Sequence, residues 1–184
     1  MTLWLFIGRL NPPHIWHIAI IDKALSENDR VIVLIWSKNI IDEQNPLNFN
    51  EIKEILLLKY KDNKNLEILE LRDDRSDLIW IYNIYKILFE KWKGINDINL
   101  YAWDFKNDSA YNIIKKYENH FNNFSFNYIE QSREYSFVNY NWQKIAISAT
   151  NLRQALRNKD YDLVKILCDE KMLEKIKDTK IGLM

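Results

Sequence analysis

The sequence is short of glycine and almost free of cysteine. It has three glycines in 184 residues, whereas the usual share of ~7% would give about 13. The single cysteine, Cys168, cannot form a disulfide within the chain. It lies in an apolar stretch with helical spacing, so we expect a small buried residue in a reducing compartment.

Net charge and long apolar runs are also missing. Lys and Arg total 26 and Asp and Glu total 26, so the formal net charge is zero. This balance removes the broad positive field that non-specific nucleic-acid binders carry. The first apolar stretch is broken by Arg9, Asn11 and two prolines, and no run approaches the ~20 residues that span a bilayer. We therefore expect a cytoplasmic protein with neither a nucleic-acid nor a membrane partner.

The composition that is present suits one folded unit. Hydrophobic residues make up 47% of the chain and charged residues 28%, which is typical of globular proteins. No internal repeat, low-complexity tract or Pro- or Gly-rich linker interrupts it. We predict a single domain over residues 1–184, with a core at about 3–167 and a helical C-terminal segment at 150–178.

Apolar periodicity alternates between strand and helix along the chain. Strands are predicted at 2–7, 30–35, 66–71, 98–102 and 124–129. Helices are predicted at 14–25, 48–60, 77–92, 109–117, 150–156, 161–167 and 172–176. The second helix has Asn48 and Glu51 in the spacing of a capping box. The alternating order predicts an α/β fold with a mostly parallel sheet flanked by helices and a helical C-terminus.

The loop after the first strand carries the first chemical motif. It runs from Gly8 to His17 and has two histidines, His14 and His17, at a helix start. Ligands of open parallel sheets bind beyond the carboxyl ends of the strands, and helix N-termini favour anions. We therefore interpret this loop as a polyphosphate site. The alternative of a zinc site would need more ligands, and only His120 and Cys168 remain.

A second motif lies near the other end of the chain. Ser148, Thr150 and Arg153 stand where hydroxyls at a helix start and an arginine one turn later can face one anion. A Ser or Thr cap followed by a solvated Arg is common, so this motif alone is weak. The two motifs together are far more specific.

The paired motifs resemble the nucleotidyltransferases with the signatures G-R-F-x-P-x-H-x-G-H and I-S-x-T-x-x-R, from about Leu3 to about Leu167. The chain is most similar to the archaeal-type nicotinamide-mononucleotide adenylyltransferases, through residues 46–51, 73–80 and 106–111. The resemblance implies a Rossmann-like sheet. Some bacterial members are fused to a Nudix domain, whereas we expect the nucleotidyltransferase domain alone here.

The resemblance implies a role for fourteen residues. It assigns to catalysis, at the ATP phosphates, His14, His17 and Arg153. It assigns to the ATP site Gly8, Arg9, Asn11, Trp36, Ser148 and Thr150. It assigns to the nicotinamide ribotide Asp73, Asp77, Trp80, Lys106 and Asp108. It implies no metal held by the protein itself and Mg²⁺ that accompanies ATP.

The implied reaction transfers AMP from ATP to nicotinamide mononucleotide, forming NAD and pyrophosphate. Because the end motifs are shared across the superfamily, a phosphopantetheine, FMN or cytidylyl acceptor stays open. The choice between nicotinamide and nicotinate forms and the assembly into a homo-oligomer also stay open. Trp80 could equally be a core residue, and Lys106 with Asp108 an exposed ion pair worth little.

Tryptophan stands at several positions where the family has glycine. Trp16 separates the two histidines, and an indole there obstructs the close approach of a nucleotide that glycine permits. We hypothesise that the gene uses UGA as a glycine codon and that the printed sequence renders it as tryptophan. The candidate positions are Trp4, Trp16, Trp36, Trp103 and Trp142. UGG at codons 16, 36 and 103 would refute this, and the protein would then be a catalytically impaired nucleotide binder.

Overall fold

The computed structural model describes residues 2–38, 40–92, 94–131 and 136–183. The strands are β1 (Leu3–Gly8), β2 (Arg30–Ser37), β3 (Leu66–Arg72), β4 (Asp97–Ala102), β5 (Ser125–Glu130), β6 (Phe137–Tyr140) and β7 (Gln143–Ala146). The helices are α1 (Ile15–Glu27), α2 (Phe49–Tyr60), α3 (Asp77–Lys91), α4 (Ser109–Lys116), α5 (Ala149–Arg157), α6 (Tyr161–Leu167) and α7 (Leu173–Lys177). Among the helices described, none is long and apolar enough to cross a membrane.

The chain forms two compact units, each made of separate segments. The first comprises Met1–Gly8, Ala24–Ser37 and Lys64–Arg133. The second comprises Arg9–Lys23, Lys38–Asn63 and Glu134–Met184.

The first unit contains a five-stranded sheet with the order β3-β2-β1-β4-β5. All neighbouring strands in it are parallel. The chain adds strands on one side of β1 and then returns to add β4 on the other side, so the order reverses between β1 and β4. Such a reversal is where open α/β sheets bind ligands, beyond the carboxyl ends of the strands. The predicted α/β Rossmann-like fold is confirmed.

The core of the first unit explains why the strands could be predicted from their apolar sequence patterns. In β2, the five residues from Val31 to Ile35 are all fully buried, as a continuous β-branched run predicts for a central parallel strand. Apolar side chains of α3 and α4, among them Ile84, Leu88 and Ile114, pack with the strands in one cluster. Shortening such a residue to alanine typically costs about 2–5 kcal/mol.

The carboxyl edge of this sheet carries chemically distinctive residues. Trp36 is the penultimate residue of β2, and Asp73 and Trp103 directly follow β3 and β4. The Asp73 backbone N–H donates to the Ser37 carbonyl at 2.8 Å. Two of the residues that are expected to contact ligands, Trp36 and Asp73, therefore lie at the ends of the adjacent strands β2 and β3.

In the second unit, polar contacts fix the helices. The predicted capping box of α2 is present, with reciprocal hydrogen bonds between Asn48 and Glu51. Lys59 on α2 donates to Asp22 of α1 at 2.8 Å and to Asp169, beyond α6, at 2.9 Å. Tyr60 donates to the other Asp22 oxygen at 2.8 Å. These bonds tie three segments that are distant in sequence.

The hairpin of β6 and β7 was not predicted. Its strands pair antiparallel from Phe137↔Ala146 to Tyr140↔Gln143, which leaves the two-residue loop Asn141 and Trp142. Loops of this kind are recognised in a sequence by Asn-Gly or Asp-Gly. Here tryptophan occupies the second loop position, so the usual signal was absent.

Candidate active site

The loop after β1 is clamped by the side chain of Asn11, which is 5% exposed. Its Nδ2 donates to the Leu47 carbonyl at 2.7 Å, and its Oδ1 accepts from the Leu47 N–H at 3.0 Å. Leu47 immediately precedes the cap residue of α2. Both ends of the Asn11 amide are thus engaged with the protein backbone, so the residue shapes the loop that the resemblance assigns to ATP.

The two histidines lie face to face at the start of α1. The His14 and His17 ring centroids are 3.7 Å apart with an interplanar angle of 23°. The His14 backbone N–H donates to His17 Nδ1 at 3.3 Å. Nδ1 of His17 therefore faces the backbone at the helix start, and Nε2 lies on the other side of the ring. Trp16 lies beside both rings, with centroids 6.5 Å from His14 and 6.1 Å from His17.

Helix α5 presents the second motif. Ser148 is its N-cap, and the Ser148 hydroxyl accepts from the Asn151 N–H at 3.1 Å. Arg153 donates through Nη1 to the Asn11 carbonyl at 2.7 Å and through Nη2 to the Thr150 hydroxyl at 3.2 Å. The bond to Asn11 joins segments 142 residues apart in the chain, so the structure brings the two motifs together.

Arg157, which the sequence analysis did not single out, belongs to the same helix face as Arg153. Its Nη2 donates to the Glu43 carbonyl at 3.0 Å. Within the part of the chain that the structure describes, the hydrogen bonds of both guanidinium groups go to neutral oxygens and neither group has a carboxylate partner. Arg157 lies one residue beyond the predicted helix end at 156, and its spacing of four residues from Arg153 was the signal that could have found it.

The electrostatics of this pair favour an anion. Burial, together with the charge of Arg157, lowers the pKa of Arg153, and the nearby charge of Asp42 only partly opposes this. A half-buried guanidinium beside a second one is destabilised relative to water. A phosphate oxygen here would accept charge-assisted hydrogen bonds and remove the like-charge repulsion. We define the phosphate cluster as His14, His17, Ser148, Thr150, Arg153 and Arg157.

The first unit holds a separate group of predicted residues, Trp36, Asp73 and Trp80. Trp36 Nε1 donates to Asp73 Oδ1 at 2.9 Å. The Trp36 and Trp80 ring centroids are 5.0 Å apart with an angle of 48°. Trp80 is 2% exposed. We call this set the aromatic cluster.

The other predicted ligand residues of the first unit have structural partners. Asp108, expected at the nicotinamide ribotide, caps α4: it accepts from the Tyr111 N–H at 3.0 Å and from the Trp103 N–H at 3.2 Å. Asp77, at the start of α3, lies 3.5 Å from Lys116 Nζ, with 45% of its side chain exposed. Lys106 is exposed. Ligand roles for these three residues stay predictions.

Gly8 ends β1 and Arg9 follows it in the second unit. Both are partly exposed. Their roles at ATP stay predictions as well.

In the phosphate cluster the donor set consists of imidazoles, hydroxyls and guanidinium groups, and guanidinium groups cannot ligate a cation. It fits phosphate oxygens, and Mg²⁺ fits it only as a companion of those oxygens.

The tryptophans proposed as recoded glycines occupy different environments. Trp4 is fully buried in β1 against Tyr101, with centroids 4.5 Å apart. Trp16, Trp36 and Trp103 are partly exposed. Trp142 is fully exposed and has a positive φ of 63°. Only at Trp142 does the backbone itself adopt a conformation that favours glycine.

The sheet order and the carboxyl-edge loops define the class as an α/β Rossmann-like protein. Within that class, the chain belongs to the cytidylyltransferase-like family, whose model matches residues 5–155. This membership supports a nucleotidyltransferase. A search of curated proteins found no match.

Solved structures with the same fold include adenylyltransferases. A bifunctional NMN adenylyltransferase/ADP-ribose pyrophosphatase from Francisella tularensis is 21% identical, with a TM-score of 0.69 over 99% of this chain and 51% of that one. The same protein complexed with AMP and a manganese ion is 22% identical, with a TM-score of 0.66, again over 99% and 51%. NadR protein in complex with NR is 16% identical, with a TM-score of 0.63 over 86% and 41%. The chain thus spans about half the length of these proteins or less, and the likeness shows the fold.

Proposed function

We propose that the protein is an archaeal-type nicotinamide-mononucleotide adenylyltransferase that transfers AMP from ATP to nicotinamide mononucleotide, forming NAD and pyrophosphate. The observation that carries the proposal is the bond from Arg153 to the Asn11 carbonyl at 2.7 Å. It unites the two sequence motifs, of which the second is weak alone and the pair is far more specific. The proposal treats residues 1–184 as one nucleotidyltransferase domain.

The phosphate cluster suits a triphosphate for three reasons. Arg153 and Arg157 supply positive charge, and among the described residues their hydrogen bonds go to neutral oxygens, with the charge of Asp42 offsetting that of Arg153 only in part. The Ser148 hydroxyl caps α5 through an oxygen lone pair, so its O–H can still donate to a phosphate. The N-terminus of α5 adds the favourable end of the helix dipole.

The reaction needs no protein nucleophile and no base. A 5′-phosphate oxygen of nicotinamide mononucleotide attacks the α-phosphorus of ATP and forms the new P–O bond. The bond between the α-phosphorus and the bridging oxygen breaks, and its electron pair leaves with pyrophosphate. His14, His17 and Arg153 act by donating hydrogen bonds to the phosphate oxygens on which negative charge grows. Mg²⁺, carried by ATP, adds further charge neutralisation.

The choice of acceptor is supported by the comparisons and by the aromatic cluster. The similar structures include an NMN adenylyltransferase and NadR protein in complex with NR. An indole face and a carboxylate such as those of Trp80 and Asp73 suit a flat cationic ring with an amide. Phosphopantetheine has no ring of this kind.

Trp16 supports a second candidate, an impaired nucleotide-binding protein. Its indole lies about 6 Å from both histidine rings, next to the groups proposed to meet ATP. If the indole blocks the productive pose of the nucleotide, the chain binds ATP without transfer.

The test is NAD formation from ATP, Mg²⁺ and nicotinamide mononucleotide, with ATP binding measured in parallel by calorimetry. The assay compares two versions of the chain, one with tryptophan and one with glycine at positions 4, 16, 36, 103 and 142. In the active version, R153A should lower turnover by about 100-fold or more, because one donor to the developing charge is removed. K165A, which removes an exposed lysine on α6, is the control and should retain activity.

The outcomes separate the candidates. Activity in either version that is lost in R153A and retained in K165A supports the proposal. ATP binding without NAD formation in both versions supports the impaired binder, or another acceptor if transfer to that acceptor is then found. Absence of ATP binding in both versions contradicts the proposal altogether.

A further inference from the structure

The first unit has a cavity of about 780 Å³ at the amino ends of β4 and β5. Its walls come from the end of α3, from the segment before β4 and from residues 122–125. The predicted ligand residues Trp36 and Asp73 lie at the opposite, carboxyl edge of the same sheet. Trp80 is near the start of α3 and Trp92 directly follows its end, so the two are about 18 Å apart along the helix axis. The cavity is therefore separate from the aromatic cluster.

The walls of the cavity combine aromatic rings with side-chain amides. Phe89 is 48% exposed and Phe124 is partly exposed. The side chains of Asn96 and Asn122 are exposed, and within the described parts of the chain neither forms a hydrogen bond. The lining residues that the structure describes carry no charge. Small-molecule sites of ~300–1,000 Å³ typically have this make-up, in which apolar and aromatic walls carry a few polar groups.

Trp92 adds a hydrogen-bond donor to this wall. It is 7% exposed, and its Nε1 is buried without a hydrogen-bond partner among the described residues. An unpaired buried N–H is unfavourable. The Arg30 guanidinium lies over the indole, 5.7 Å from its centroid, and holds the ring in place. An acceptor atom of a ligand in the cavity is the partner that this N–H lacks.

Contacts between the walls keep the cavity in shape. Asn123 donates through Nδ2 to the Tyr85 hydroxyl at 2.9 Å. The Phe124 ring packs edge-on against Tyr85, with centroids 5.6 Å apart, and Tyr85 stacks on Phe89 with centroids 5.8 Å apart. The rings and amides are thus positioned before a ligand arrives, which lowers the entropic cost of binding.

The chemistry of the walls indicates the class of ligand. A carboxamide has a donor and an acceptor side by side, and this pair matches the N7 and the N6 amino group of adenine. Aromatic side chains stack on nucleobases, and the ring nitrogens of adenine are acceptors. The absence of charge among the described lining residues favours an uncharged ligand over a phosphate ester.

We propose that this cavity binds the adenine ring of an uncharged nucleoside. The ring lies against Phe89 and Phe124, and the carboxamides of Asn96 and Asn122 bind its N6 and N7 edge. This site is additional to the phosphate cluster and does not depend on the proposed function.

The experiment titrates the protein with adenosine and with inosine by calorimetry. Inosine has an oxygen where adenosine has the N6 amino group, so the carboxamide oxygen loses its donor. We expect adenosine to bind at least tenfold more tightly than inosine. The double variant N96A/N122A should weaken adenosine binding at least tenfold and abolish this preference. N50A, which removes an exposed asparagine of α2 in the other unit, is the control.

Stacking is tested separately from the recognition of the edge. F89A should weaken adenosine and inosine alike, by about fivefold or more, because stacking does not depend on the N6 group. Y82A removes a ring of the same helix that is 63% exposed and does not line the cavity, so it is the matched control. W92F keeps a ring without the N–H and should weaken both nucleosides about threefold or more.

ATP binding is measured on the same variants. F89A and N96A/N122A should change ATP affinity by less than about twofold, because we assign ATP to the phosphate cluster. If the unaltered chain does not bind ATP, the proposed function fails, whereas the nucleoside titrations still decide this inference.

The inference is overturned by any of three results. In the first, the folded unaltered chain does not bind adenosine at millimolar concentration. In the second, inosine binds as tightly as adenosine. In the third, F89A and N96A/N122A, shown by circular dichroism to be folded, bind adenosine as the unaltered chain does, which would place the nucleoside elsewhere. The comparison of adenosine with inosine needs no variant, so it decides even if a variant does not fold.

Discussion

Asn141 and Trp142 form the loop between β6 and β7, and their φ angles are 48° and 63°. Two successive residues with positive φ in a two-residue hairpin are the pattern of a type I′ turn, for which Asn-Gly is the preferred sequence. A side chain with a Cβ is strained there by about 1–2 kcal/mol. The Trp142 side chain is fully exposed, so packing does not offset this strain.

We therefore predict that W142G stabilises the protein by about 1 kcal/mol, because glycine adopts positive φ without the Cβ clash. Urea unfolding followed by circular dichroism measures the change. W142A is the matched control: it also removes the indole but keeps the Cβ, and it should recover much less. Equal stabilisation by W142A would show that loss of the indole, not the backbone conformation, is responsible.

The turn also bears on the hypothesis of recoded glycines. Among the five candidate tryptophans, Trp142 is the one at which the backbone itself, independently of any family signature, favours glycine. Sequencing codon 142 together with codons 16, 36 and 103 tests the hypothesis. TGA at all four supports it, and TGG at all four contradicts it.

At the scale of elements, Ser148 connects the start of α5 to the phosphate cluster. Its hydroxyl oxygen accepts from the Asn151 N–H, which leaves its O–H for a phosphate. S148A should lose about 1 kcal/mol of stability through the missing cap, and also ATP affinity. S148D restores the cap but carries no donor and adds a negative charge, so it should keep stability and lose at least tenfold in ATP affinity.

The two readouts for Ser148 are urea unfolding and ATP calorimetry. S148T, which keeps both the cap and the O–H, is the conservative control and should behave like the unaltered chain. ATP binding by S148D at unchanged affinity would show that Ser148 is a cap alone.

The elements themselves were largely predictable because apolar periodicity and caps are local signals. The continuous run of β2 and the capping box at Asn48 both appear in the structure as expected. The hairpin of β6 and β7 was not predicted because its turn lacks glycine, the residue by which such turns are usually recognised. Contacts across the chain, such as Asn11 with Leu47 and with Arg153, depend on tertiary packing, and no local pattern contains them.

At the scale of the molecule, each unit holds one set of the residues that the resemblance singles out. Thr150 and Arg153 join the histidines in the second unit, and Trp36 and Asp73 join Trp80 in the first. The motifs assign roles to these residues, and those roles stay predictions. The motifs did not predict that Trp36 takes up the hydrogen bond of Asp73, because a family signature with glycine at that position has no side chain there.

Buried tyrosines contribute to the dependence of the protein's stability on alkaline pH. Burial, together with a hydrogen bond to Glu27, raises the pKa of Tyr101 to about 12. Burial and the hydrogen bond to Asp22 raise the pKa of Tyr60 as well. In the unfolded chain both lose their protons near pH 10.

The sign follows from proton binding. Between about pH 10 and 12 the unfolded chain holds fewer protons than the folded one, so the free energy of unfolding falls as the pH rises. The slope is up to about 1.4 kcal/mol per pH unit for each proton that only the folded state retains. Below pH 10 both states are protonated, and the contribution is fully present.

We predict that Y101F makes the alkaline loss of stability shallower by up to one such proton, since phenylalanine has none to release. Urea unfolding at intervals from pH 8 to 11.5 measures the slope. Y82F, which changes a ring that is 63% exposed, is the matched control and should leave the slope unchanged. If Y101F and the unaltered chain lose stability in parallel above pH 10, the Tyr101 proton is not retained by folding and other groups cause the alkaline loss.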